Sequence, residues 1–405
     1  MAVASSRQRI LAPDRSFETA DDAGTRAHKF QVPEVIFGIG TLDEVGGVLR
    51  RRGWDRPMVV SDESVSAAGW PDRAVRSMAA VGLDAAVWRG VTPNPKDYEV
   101  DLGLDAFFDC GADVLVAVGG GSCIDAAKAI ALLSGNGGQI CSYGGIDQAV
   151  APIPPMVMLP STGGSGADVS QFCVVTDTAR MTKVTIAGRA LVPDVSLTDP
   201  VLLTTMDAEV AAHTGIDALS HAIEAYVSLA SDFLTAPHAM AAIRGMAKWL
   251  LRSVEDPGDL VAKEGVARAS LQAGMAFSNA LLGATHAISH QIGGLSDLPH
   301  GLLNAILLPH VVRFNAEVCA VRYKEVAVGL GLDAGDDPSD AAAAVADHIE
   351  LLAAKLGIPY GLSAVGVKEE HIESFVAGAL SDVYMTTNPR PVGADDVRDI
   401  CLAAL

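Results

Sequence analysis

Apolar runs of four to six residues recur through the first half of the chain, with longer stretches of helical spacing between them. Pro57–Asp62 reads as a short buried strand ending in an acid, Ala85–Trp88 as a second, Asp113–Val118 as a third, Pro155–Pro160 as a fourth and Gln171–Thr176 as a fifth. Between them Ser64–Val81 and Asp97–Cys110 place apolar residues three and four apart, as a helix with one buried face requires. Patterned sequence begins at Phe37-Gly38-Ile39-Gly40-Thr41-Leu42, where glycines mark a strand-to-helix turn and Asp43–Glu44 suit a helix's first turn. Alternating strands and helices predict a parallel, doubly wound sheet. After Asp199-Pro200 the pattern changes. Residues 201–405 are nearly free of β-branched runs and rich in Ala, Leu, Met and His at 3.6-residue spacing, as in Ala236–Leu251 and Ala341–Leu356, so this half should be all-helical.

The expected organisation is a polar, flexible leader over residues 1–28, a Rossmann-like α/β domain over 29–203 and an all-helical domain over 204–405. No long linker marks the boundary, so the halves should pack against each other around a cleft. A chain of 405 residues and 41.8 kDa has the length for two cores, and 50% hydrophobic residues supply the apolar material. The net charge of −20 and a pI near 4.8 argue against nucleic acid or an anionic membrane surface as partner. Six cysteines without C-x-x-C spacing suit free thiols in a reducing cytosol. Residues 1–28 hold Arg7, Arg9, Arg15 and Arg26 but no apolar signal core, and no apolar run approaches the roughly 20 residues of a spanning helix. A cytoplasmic protein is expected.

The chemistry concentrates in the helical half, where six of the ten histidines fall between 213 and 300. Asp217 and His221 are four apart and share a helix face, as do His286 and His290, and a third imidazole, His300, returns after Gly293 and Gly294. One carboxylate and several imidazoles suit a divalent transition metal, iron or zinc, better than magnesium or calcium. His213, four before Asp217, is open to two readings, a fifth ligand or a neighbour of the site. In the first half Gly119-Gly120-Gly121-Ser122 lies between a strand and a helix start, where exposed N–H groups and the helix dipole favour a pyrophosphate. A tight strand-to-helix turn would have the same glycines.

These stretches resemble the iron-containing (group III) alcohol dehydrogenases. TGIDALSHAIEA at 214–225, HAISH at 286–290 and PHGLLNAILLPH at 299–310 match that family's metal motifs, GGGSCIDAAK at 119–128 its phosphate loop, and PSTGGSGAD at 160–168, with departures, its nicotinamide loop. The likeness runs from about Phe37 to the C-terminus. It implies the dehydroquinate synthase-like architecture of that family, an NAD(H) site and a metal, Fe2+ or alternatively Zn2+, held by Asp217, His221, His286 and His300. It further implies cofactor contacts from Asp62, Asn94, Gly119, Gly120, Gly121, Ser122, Ser161, Thr162, Ser165 and Lys183, a substrate pocket lined by Phe277 and Tyr384, and a homodimer or larger homo-oligomer. Asp125 is expected to brace the phosphate loop. His290 would either relay the substrate's proton or orient His286, and Asp62 would either face the adenosine ribose or cap the next helix. For Phe277 and Tyr384 the plain alternative is core packing, for Asn94 and Lys183 a turn or surface role.

The implied reaction is hydride transfer between NAD(H) and a small primary alcohol or aldehyde, with the metal polarising the substrate oxygen. The competing reading is a dehydroquinate-synthase-like lyase that uses NAD and a divalent metal. Such an enzyme needs a basic pocket, yet no Lys or Arg falls within 214–225 or 286–301.

Overall fold

A computed structural model of the protein describes residues 28–405. The expected leader therefore lies outside the described residues except for His28, whose Nδ1 is 2.8 Å from Asp232 Oδ2. The α/β half runs β1 (Glu34–Phe37), α1 (Val45–Arg52), β2 (Pro57–Asp62), α2 (Glu63–Ala67), α3 (Trp70–Ala80), β3 (Ala86–Val91), α4 (Asp97–Asp109), β4 (Val114–Gly119), α5 (Gly121–Asn136), β5 (Gly145–Ile146), β6 (Met156–Pro160), β7 (Phe172–Asp177), β8 (Thr182–Ala187) and β9 (Val195–Thr198). The helical half contributes α6 (Ala208–Val227), α7 (Ala236–Glu255), α8 (Leu260–Ala280), α9 (Ala284–Ser296), α10 (His300–Gly329), α11 (Pro338–Lys355), α12 (Ile372–Ser381) and α13 (Ala394–Ala403).

Six strands form a parallel sheet in the order β1-β9-β6-β4-β2-β3. The central strand β4, VLVAVG, is buried at every position, as a strand covered on both faces must be. Chain order reverses between β2 and β4, which pair directly, and such a switch point opens a crevice at the strands' carboxyl ends. Asp62 ends β2 and Gly119 ends β4, so the acid and the glycine turn flank that crevice.

Two expectations need correction. The helix expected over 64–81 is two helices, because Gly69 takes a left-handed backbone (φ 83°) that closes α2 and starts α3. The fifth strand does not extend the parallel sheet. It pairs antiparallel with β8 in a separate three-stranded sheet, order β5-β8-β7. The periodicity of either strand reports a half-buried surface but not the partner across it. This hairpin matters because it lies against the helical half: Lys183 and Thr185, two apart on β8, share one face and meet the loop before α4 and helix α9.

Among the described residues no strand follows Thr198. Asp207 starts α6 by accepting a hydrogen bond from the Val210 N–H. From Ala211 to Val227 every residue of α6 is buried except Thr214 and Tyr226, so it is the central helix of this half and any polar side chain on it is enclosed. No described helix is long and apolar enough to cross a membrane.

Candidate metal and dinucleotide site

Helix α6 carries Asp217 and His221 one turn apart, α9 brings His286, and the first residue of α10 is His300. Gly301 makes the last approach possible. A Cβ there would collide with the His213 carbonyl oxygen and sit 3.1 Å from Asp217 Cβ, so only glycine lets α10 start against α6. The ligand-type atoms of the four residues all lie within 4.8 Å of one another. The Nε2 atoms of His221, His286 and His300 stand 3.9, 3.7 and 3.9 Å from Asp217 Oδ1. These separations are too long for hydrogen bonds. They approach the ~3.4 Å spacing of donors that each sit about 2.1 Å from one tetrahedral ion.

The surroundings fix the donors' direction. Glu224 bonds to His286 Nδ1 and also accepts from the Thr285 N–H at 2.8 Å, so the Nε2 of His286 is turned to the centre. Asn304, fully buried and four residues after His300, places its Nδ2 2.7 Å from Asp217 Oδ1 and 3.0 Å from the Nε2 atoms of both His286 and His300. An amide has two protons for those three acceptors. Burial disfavours charge on each ring; at His286 the charge and bond of Glu224 overcome it and push the pKa up to about 9, whereas His221 falls to about 4 and His300 well below its ordinary value. Burial also opposes ionisation of Asp217, but the imidazoles of His221, His300 and His286 outweigh it and hold that carboxyl far below the usual range. Without an ion His286 is the ring that keeps a second proton, while Asp217, His221 and His300 present lone pairs; a cation would displace that proton, and the residues present fit a divalent one.

Access is one-sided. The side chains of Asp217, His221 and His286 are 7%, 6% and 1% exposed, that of His300 24%. His213 is not part of the group.

Around the crevice the dinucleotide residues expected from the sequence fall into three sets. Gly120 and Gly121 abut Thr162 and Ser165: a Cβ on Gly121 would come within 2.8 Å of Ser165 Cβ, so the glycine turn after β4 packs against the hydroxyl side chains of the loop after β6. Ser161 donates its N–H to the Gly119 carbonyl at 3.0 Å. Asp62 caps α2 by accepting from the Val65 N–H at 2.8 Å, while its other oxygen accepts from the Cys123 thiol at 3.2 Å. Asn94, with φ 54°, donates its N–H to Ser122 Oγ at 3.2 Å, accepts from Lys183 Nζ at 2.8 Å and donates to Asp297 Oδ1 at 2.8 Å, linking the halves. Burial pushes the Lys183 pKa down to about 8. Asp125 accepts from the Val174 N–H at 3.2 Å, a contact that ties α5 to β7.

Phe277 stacks on His221 with centroids 4.4 Å apart, and Tyr384 stands 5.7 Å from His290. Both aromatics are buried in one apolar cluster with Phe172, so core packing and lining the metal centre are the same position.

A family model for the iron-containing alcohol dehydrogenases matches residues 33–200, and the model of that family's C-terminal domain matches 211–405. The chain belongs to the iron-containing alcohol dehydrogenase family. It is 36% identical over 377 residues to the NAD-dependent methanol dehydrogenase of Bacillus methanolicus, covering 93% of this chain and 99% of that one. It is 38% identical over 379 residues to the 1,3-propanediol dehydrogenase of Citrobacter freundii, covering 93% and 98%. A crystal structure of a 1,3-propanediol oxidoreductase superposes with a TM-score of 0.91 at 37% identity over 94% of this chain and all of that one. Membership of the iron-containing alcohol dehydrogenases brings the reaction class, metal-dependent oxidoreduction of alcohols and aldehydes with NAD(H), and sets the lyase reading aside.

Three residues of this site escaped the sequence reading. Glu224 and Asn304 lie inside the quoted motifs, at helical spacing from His221 and His300, and that spacing was the available signal. Asp382, whose Oδ2 is 2.9 Å from His290 Nδ1, carries no local signal because its partner is far away in sequence.

Proposed function

We propose that this protein interconverts a small primary alcohol and its aldehyde using NAD(H) and a ferrous ion held by Asp217, His221, His286 and His300, with zinc as the alternative occupant. The observation that carries the reading is the convergence of one carboxylate and three imidazoles beside the seam that Lys183, Asn94 and Thr185 share with the dinucleotide crevice. When bound, the metal supplies a Lewis acid for the substrate oxygen and the nicotinamide a hydride acceptor or donor. The chain's own residues do the rest. Glu224 and Asn304 hold the imidazoles and carboxylate in register; Phe277 and Tyr384 wall the centre and exclude water; His290, one helical turn from His286, takes or returns the hydroxyl proton. The glycine turn at 119–121 with Ser122, and Ser161, Thr162 and Ser165 opposite, seat the dinucleotide phosphates and nicotinamide. Enclosure by buried aromatics favours a short, uncharged substrate.

Six free cysteines accord with a reducing cytoplasm. The exposed apolar side chains Tyr98, Leu102 and Phe108 along α4 offer surface that another copy would cover in a homodimer or larger homo-oligomer.

The deciding experiment is anaerobic purification with metal analysis, then NADH oxidation with short aldehydes. His221→Ala, His286→Ala and His300→Ala should each lose bound metal and about 10³-fold or more in turnover, matching several kcal/mol of Lewis-acid stabilisation, while NADH binding persists. Full metal occupancy in any of them removes that residue from the ligand set, and a wild type inert towards every short aldehyde ends the proposal.

A further inference from the structure

Asp382 follows α12 with its side chain only 4% exposed, and its two carboxylate oxygens are committed in different directions. Oδ1 accepts from the Tyr384 N–H at 2.9 Å and so starts the 3-10 turn Val383–Thr387 that carries this aromatic. Oδ2 lies 2.9 Å from His290 Nδ1, with Thr185 Oγ1 at 3.4 Å from the same nitrogen. A carboxylate oxygen facing a ring nitrogen at this distance takes the acceptor role, so the Nδ1 contact favours the tautomer with its proton on Nδ1 and a lone pair on Nε2. That Nε2 bonds to no described residue and is not among the sealed, unpartnered atoms of the structure. The ring lies beside the metal centre, stacked on His300 at a centroid distance of 5.2 Å.

We propose that Asp382 is a positioning residue for proton transfer: it holds His290 in the Nδ1–H tautomer, leaving Nε2 to accept the substrate's hydroxyl proton, and through its other oxygen it sets Tyr384 in the same wall. The inference rests on His290 being the proton relay. In alcohol oxidation the carbinol C–H bond breaks and its hydride passes to NAD+. The O–H bond also breaks, its proton goes to Nε2, and the electron pair left on oxygen completes the carbonyl. The products are aldehyde, NADH and a proton that His290 later releases to water. While the ring carries that extra proton, the Asp382 carboxylate faces the positive charge. In reduction the same nitrogen gives the proton back.

Asp382→Asn is the test, because the amide oxygen can still accept from the Tyr384 N–H while the amide nitrogen, a donor, must face Nδ1 and drive the ring's proton to Nε2. In the zinc-loaded holoenzyme the substitution should leave metal content and NADH affinity unchanged and lower kcat by about 10²-fold or more, the range of a positioned acid–base group. In a His290→Ala background it should change kcat less than about twofold, since the residue acts through that ring. Imidazole 15N shifts of the wild type, with His290 assigned by its absence from His290→Ala, should show a protonated Nδ1 and a bare Nε2; this measurement needs no folded Asp382 variant. The opposite tautomer overturns the proposal, as does an unchanged kcat in Asp382→Asn. So does an equal loss with and without His290, which would trace the effect to the Tyr384 turn. If His290→Ala alone leaves turnover intact, the relay reading itself falls, an outcome distinct from the others.

Discussion

Asp62 divides its carboxylate between two tasks, and we propose that the division bears on cofactor choice. Oδ1 is occupied by the start of α2, accepting from Val65 N–H and Ser64 Oγ–H, while Oδ2, at the carboxyl end of β2, accepts among the described residues from the Cys123 thiol alone. A ribose diol arriving there finds an acceptor, whereas a 2′-phosphate meets a like charge, which costs several kcal/mol where water is excluded. The expected outcome is a strong wild-type preference for NADH, with Asp62→Gly raising kcat/KM for NADPH and lowering it for NADH. An unchanged ratio would reduce Asp62 to its capping role. Of the residues at this scale, those whose meaning is a spacing were legible beforehand: Asp217 and His221, His286 and His290, and the run of three glycines. Those whose meaning is a partner were not. Glu224 acts on His286, 62 residues away, and only its spacing from His221 hinted at a role; Asp382 acts on His290, 92 away, and nothing local distinguishes it from a solvated acid.

At the scale of elements the decisive junction is the start of α10 against α6. Gly301→Ala places a methyl group against the His213 carbonyl and beside Asp217 Cβ. Relief requires the helices to part or His300 to withdraw, and overpacking of this kind costs about 1–3 kcal/mol. The variant should bind metal at least tenfold more weakly in equilibrium dialysis, with NADH affinity preserved because the crevice at β2 and β4 is untouched. Retained metal affinity would show that α10 can shift without moving His300. Most elements were readable from periodicity, since the buried strands of the parallel sheet are continuous apolar runs. Strand β7 was read as a strand but placed in the parallel sheet, and its partner β8 was not read at all, because TKVTIA buries a lysine against the Asn94 amide and so lacks a clean apolar alternation.

Over the whole molecule, the residues proposed for the dinucleotide come from the sheet half and those proposed for the metal from the helices, so on this reading the seam between them would set how closely the two groups approach. The bridge from Lys183 through Asn94 to Asp297 spans that seam, which no inspection of either half's pattern could reveal. Metal binding should also stabilise the fold, since an ion that binds only the native state contributes about 2.7 kcal/mol at a hundred times its Kd. Chelation is thus expected to lower the Tm of the helical half by a few degrees, measured by calorimetry, and an unchanged Tm would argue that the ion adds nothing to cohesion. The uneven exposure of the four donors bears on how fast this happens. On the proposed ligand set affinity would be shared among Asp217, His221, His286 and His300, but His300 alone has a substantially exposed side chain, so an ion is expected to leave past that ring and its lifetime to depend on how readily the ring moves. Thermodynamic hold and kinetic retention are in this way entrusted to different residues: a variant that loosens only His300 would exchange its metal quickly even where its equilibrium occupancy stays high.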